Sequence, residues 1–183
     1  MKLTVTILFF SFAFLFPKFI YAQQYTEYEL KSAYIFNFAK FIDYPPNAFN
    51  SDKDPFIIGV YGNDAFLEVL QTVIRGKTIN NRSIIAISIS QPDDAVNCKL
   101  LFFSKTTKNQ TATLLEFLNG KSILTVGDDI EDFCQKGGMI NFTPQYSHKR
   151  FEINPDAATR ANISISSKLL ALARIVKDEE VKF

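Results

Sequence analysis

The chain has 183 residues, 47% of them hydrophobic and 14% aromatic, with 19 Phe and no Trp; this is apolar surface enough for one packed core and excludes a mainly disordered chain. Twenty Lys and Arg stand against 19 Asp and Glu, and the small basic excess comes from Lys2 and Lys18 near the start. Charges of both signs alternate along the remainder without a basic stripe, which excludes nucleic acid as a partner.

Met1-Lys2 and the apolar run from Leu3 to Phe16, broken by Pro17-Lys18, have the charged start and hydrophobic centre of a signal peptide. Ala22 supplies a small residue for processing, so cleavage is expected between Ala22 and Gln23. A membrane anchor needs ~20 continuous apolar residues, and Lys18 interrupts this run too early. The expectation is export to the periplasm, with residues 1–22 removed and residues 23–183 forming a single α/β domain.

From Thr26 to Asp43 the pattern predicts a helix, with Leu30, Tyr34, Phe38 and Phe41 on one stripe and Ile35, Ala39 and Ile42 beside it, stopped by Pro45-Pro46. So wide an apolar face either packs on a sheet or docks a partner. Next comes an alternation of short apolar strands and helices: strand Phe56 to Tyr61, helix Asp64 to Arg75, strand Ser83 to Ile89 and strand Leu100 to Ser104. It continues with a helix from Lys108 to Leu118, a strand from Ser122 to Val126 and a short helix from Asp129 to Gln135. Strands that are apolar throughout are buried on both faces, which predicts a mostly parallel sheet between two helical layers. Met139 to Thr143 and Lys149 to Asn154, around the polar turn Gln145 to His148, read as a hairpin at an antiparallel edge of that sheet. Pro155 opens a helical turn, and Ser166 caps a last helix whose apolar face includes Leu169, Leu170, Leu172, Ala173, Ile175 and Val176. The fold expected is α/β: three layers, a mixed, mostly parallel sheet with helices on both faces, and an antiparallel edge hairpin.

Few residues suggest chemistry. Gly76-Lys77-Thr78 and Gly120-Lys121-Ser122 imitate the end of a phosphate-binding loop, but Gln71 and Leu115 stand where its first glycine belongs, and each follows a helix instead of a strand. They are read as helix ends. His148, the one histidine, sits in the hairpin turn beside no evident nucleophile. No cofactor or metal site is expected. Polar residues do gather where the parallel strands should end, at Asn63, Asp64, Ser104, Lys105, Asp128 and Asp129, the edge at which α/β sheets hold ligands. They are a candidate crevice for a ligand or partner; as helix caps and solvated charges they would be structural. In an oxidising compartment Cys98 and Cys134, the only cysteines, are expected to pair with each other, two buried free thiols being the alternative.

The opening helix, Glu27 to Ile42, resembles that of YfiR/HmsC-like periplasmic proteins. The likeness continues in order through Gly59-Val60-Tyr61-Gly62, Leu124-Thr125-Val126, Gly137 to Phe142, Arg150 to Asn154 and Ile165 to Leu170. It implies an exported domain that forms homodimers and represses an inner-membrane diguanylate cyclase, or a similar sensor such as a kinase, by docking on its periplasmic part. Cyclic-di-GMP and biofilm formation would be the output. Better-known members carry two disulfides, and this chain has cysteines for one. The leading expectation is a non-enzymatic regulator; the alternative is a ligand-binding component serving a receptor, sensor kinase or transporter.

Overall fold

A computed structural model describes residues 16–62, 64–104, 108–144 and 150–177, without the side chains of residues 16–26, Asp64, Lys108 and Asn109. The hairpin turn with His148 lies outside the described residues, as do Asn63 and Lys105. In chain order the elements are α1 (Phe16–Lys40), β1 (Ile42–Asp43), β2 (Phe56–Tyr61), α2 (Asp64–Ile74), β3 (Thr78–Ile79), β4 (Arg82–Ile89), β5 (Leu100–Phe103) and α3 (Lys108–Leu118). They continue with β6 (Leu124–Gly127), β7 (Ile140–Phe142), β8 (Phe151–Ile153), α4 (Pro155–Arg160), β9 (Ser164–Ile165), α5 (Ser167–Leu170) and β10 (Arg174–Ile175).

Eight strands form one sheet in the order β10-β8-β7-β6-β5-β2-β4-β3, and β1 pairs with β9 in a separate ribbon. Strands β4, β2, β5, β6 and β7 run parallel, β3 and β8 antiparallel to their neighbours, and β10 parallel to β8. The expected α/β fold is therefore the observed one. Alternating side chains of the central strands serve two cores, as the period of two in a strand requires. Phe56, Ile58 and Val60 of β2, Leu100 and Phe102 of β5, and Leu124 and Val126 of β6 join Ile35 and Phe38 of α1 and Phe66 and Leu70 of α2 in one cluster. Tyr61, Leu101, Phe103 and Ile123 face the other way, toward Leu114, Leu115 and Leu118 of α3 and Phe133. Aromatic rings fill the first core, with Phe66 and Phe102 centroids 4.4 Å apart and Phe38 and Phe151 4.9 Å apart.

Three elements differ from expectation. Helix α1 reaches back to Phe16, so the backbone of the expected cleavage site at Ala22 and Gln23 is helical here, and it ends at Lys40. Ile42 and Asp43 pair instead with Ile165 and Ser164; Pro45 already requires extended backbone just beyond. The segment Asp129 to Gln135 is a series of turns, because Asp129 at φ 54° and Asp132 at φ 55° are left-handed and cannot carry an α-helical ladder. The last helix stops after Leu170, although Ser166 does cap it by accepting a bond from the Lys168 amide. Beyond it, Val176 N donates to Ile153 O at 2.9 Å and Arg174 pairs with Glu152, so β10 extends the sheet outside the β7–β8 hairpin. Helical periodicity loses here to β-branched Ile175 and Val176 and to an ion pair distant in sequence.

The expected Cys98–Cys134 bridge is not formed; both thiols are free and buried. Cys98 Sγ lies under Gly59 of β2, 2.9 Å from where a β-carbon there would stand. Cys134 Sγ lies 3.8 Å from Glu152 O of β8. Those strands are four places apart in the sheet, so each thiol packs beneath a different strand. Burial pushes the Cys98 thiol up to about 11. The Cys134 thiol is pushed higher still, by burial and then by the Glu152 charge.

Gly59 is required by packing, since a β-carbon would stand 2.7 Å from Ile89 Cγ1 and 2.8 Å from Leu101 Cδ1. Gly59→Ala is expected to cost about 1–3 kcal/mol through overpacking, read as a lower urea midpoint at constant m-value. In denaturant without reductant the protein should present both cysteines to a thiol reagent, and in the native state label slowly. Two missing thiol equivalents in the monomer would contradict the observed geometry.

Candidate functional site

The parallel strands end in line, because Tyr61 registers with Phe103 and Phe103 with Gly127. The next residues continue the ladder: Ser104 N donates to Tyr61 O at 3.1 Å and Asp128 N to Phe103 O at 2.9 Å. Of the six residues expected at this edge, Ser104 and Asp128 are thus side by side and buried. Asp129 follows, half-buried in its left-handed turn. Asp64 opens α2, where its backbone alone is described, and Asn63 and Lys105 fall outside the described residues.

Helix α1 crosses this edge and supplies what the sequence did not reveal. Lys31 Nζ lies 2.7 Å from Asp128 Oδ1 and 2.5 Å from Glu27 Oε1, with the Lys31 and Asp128 side chains only 13% and 11% exposed. Burial alone would lower the Lys31 pKa; hydrogen bonds and charge from Asp128, then Glu27, outweigh it and hold the group above its ordinary value. Lys31 is therefore protonated at neutral pH, which leaves no lone pair for general-base or nucleophilic work. The pair forms the base of a cleft of about 90 Å³ whose walls include Leu30, Tyr34, Phe142 and Pro144, with Glu27, Asp129 and Arg150 charged around it. A drug-sized ligand fills ~300–1,000 Å³, so this cleft suits a single side chain or a very small molecule.

A second polar cluster fastens the segment that carries Asp128 and Asp129. Buried Asn141 of β7 exchanges two hydrogen bonds with the Ile130 backbone, its Nδ2 donating to Ile130 O at 2.9 Å and its Oδ1 accepting from Ile130 N at 3.1 Å. The same Nδ2 lies 3.3 Å from Glu152 Oε1, and Asn154 Nδ2 donates to Cys134 O at 2.7 Å. These side chains replace the helical ladder that residues 129–135 lack, and they fix the rim of the cleft. Spacing could not find them, since Asn141 and Glu152 sit singly in apolar strands.

Asp128→Ala leaves Lys31 buried with Glu27 as its one described carboxylate partner and is expected to cost about 1–3 kcal/mol of folding stability. Because the folded pKa of Lys31 is raised, its stabilising contribution is complete below the ordinary lysine value of 10.5 and is lost as pH climbs through the folded value. The stability gap between wild type and Lys31→Met should therefore be constant through neutral pH and narrow in alkali. A gap that already narrows below about pH 9, roughly one and a half units under the ordinary value, would contradict this when read by urea melts.

A protein-family model described as YfiR/HmsC-like matches residues 28–174. Comparison with curated proteins gives no match. The matched stretch runs from α1 to the first residue of β10 and includes Lys31, Asp128, Asn141 and Glu152. The chain belongs to the YfiR/HmsC-like family.

Proposed function

We propose that this protein is an exported regulator that represses a membrane-bound diguanylate cyclase by protein–protein contact, and so lowers cyclic-di-GMP and biofilm formation. The observation that carries this is the family match across nearly all of the folded body. YfiR/HmsC-like proteins are periplasmic regulatory domains known for control of diguanylate cyclases. Among the described residues no helix is long and apolar enough to cross a membrane, in keeping with a domain that meets its target from the periplasmic side after loss of residues 1–22. The site chemistry agrees with recognition: the Lys31 ammonium is held by two carboxylates, and both thiols stay protonated at neutral pH.

The cleft at the strand ends also favours a second reading, a ligand-binding component serving a receptor, sensor kinase or transporter, with the small volume restricting it to compact ligands. Two measurements separate the readings. Deletion of the gene should raise cellular cyclic-di-GMP and biofilm mass, and expression in trans should restore both. An unchanged nucleotide pool, together with a small molecule that raises the melting temperature of wild type but not of Asp128→Ala, would favour the ligand-binding component.

A further inference from the structure

Residues 129–135 are held against their own local preference. Ile130, Phe133 and Cys134, all buried, keep the i, i+3, i+4 spacing of a helix's inner face, and Glu131 and Asp132 are acidic where its first turn would be. One helical bond is already present, Lys136 N donating to Asp132 O at 2.9 Å. The rest is bent into turns by left-handed Asp129 and Asp132, and Gln135 Oε1 is buried without a hydrogen-bond partner among the described residues. Left-handed backbone at two non-glycine residues and an orphaned acceptor are costs that another interaction must offset.

Asn141 offsets them, since its side chain takes both the N–H and the C=O of Ile130 out of any helical ladder. Glu152 sets the orientation of that side chain, with Oε1 3.3 Å from Asn141 Nδ2. The Glu152 side chain is 4% exposed, and the Arg174 guanidinium that balances its charge is on a side chain 61% exposed. Arg174 belongs to β10, two residues long at the outer end of the sheet. Without Arg174 the buried carboxylate cannot stay dry; it turns to water, and Asn141 loses the acceptor that orients it. The line from the edge of the sheet to the rim of the cleft is thus Arg174, Glu152, Asn141, Ile130 and Asp129, each bonded to the next.

We infer that residues 129–135 are a two-state segment, latched in turns by Asn141 and released toward a helix when β10 detaches and Arg174 leaves Glu152. Attachment of the last strand then decides whether Asp129 stands at the rim of the cleft. By reciprocity, whatever fills the cleft in its present shape holds β10 to the sheet. This deepens the regulatory reading and rests on it for the role of the cleft in recognition; the latch itself belongs to the isolated protein. An edge strand of two exposed residues lies at the low-stability end of such a fold, so it can leave while the central strands stay folded.

The test is amide hydrogen exchange on the exported, processed protein, comparing wild type, Arg174→Met and the double variant Arg174→Met with Glu152→Gln. It is read at Ile130, whose amide is bonded to Asn141, and at Leu101 in the central strand β5. Arg174→Met should speed exchange at Ile130 about tenfold and leave Leu101 unchanged. Adding Glu152→Gln removes the charge that needs a cation and should return Ile130 to the wild-type rate. A wild-type rate at Ile130 in Arg174→Met, an equal speed-up at both amides, or a double variant as fast as the single one overturns the inference. None of these readouts involves the membrane partner, so they stand apart from the cyclic-di-GMP response to gene deletion.

Discussion

The central strands have no face turned to water, and the rest of the structure is arranged around that fact. Strands β2, β5 and β6 are buried on both sides, so alternate residues must find two separate cores. One is built with α1 and α2, the other with α3 and the turns that hold Phe133. A strand in this position admits almost nothing larger than its place allows, which is why Gly59 faces Ile89, Leu101 and Cys98 with no room for a side chain. The same constraint keeps the two cysteines apart, each used as a small apolar filler beneath a different strand.

Polar groups excluded from the strands emerge where the strands stop. Ser104 and Asp128 are the first residues past β5 and β6, and Asp128, still buried, requires a cation. Lys31 meets that requirement from α1, and Glu27 adds a second carboxylate. A single interaction thus satisfies a buried charge and pins the helix across the strand ends. It also sets the chemical character of the edge, where opposite charges already hold each other and what remains is shape. Such a surface suits recognition better than bond-making, in agreement with the regulatory character of the YfiR/HmsC-like family.

Much of this was legible in the sequence. Continuous apolar runs such as Phe56 to Tyr61 and Leu100 to Phe103 identified the doubly buried strands, and their order placed Asp128 and Ser104 at one edge. Lys31 was not legible as the partner of Asp128, because the contact spans 97 positions and nothing local announces it. Asn141 and Glu152 were hidden for a similar reason, being single polar residues whose partners come from other segments. Where local pattern misled, a specific interaction overrode it: left-handed Asp129 and Asp132 dissolved a helix, and the Glu152–Arg174 pair drew the last apolar segment into the sheet. Compartment chemistry favoured a disulfide, but each thiol is buried free beneath a different strand.

The proposed regulation requires contact between this protein and a membrane signalling protein. Its most direct measurement places a photo-crosslinking amino acid at Asp129, beside the cleft, in the full chain and irradiates intact cells. The account predicts a covalent adduct with an integral membrane protein that carries a diguanylate cyclase domain, lost when the crosslinker is moved to the opposite edge at Asn80. Adducts with soluble proteins alone, or none from either position, would contradict it.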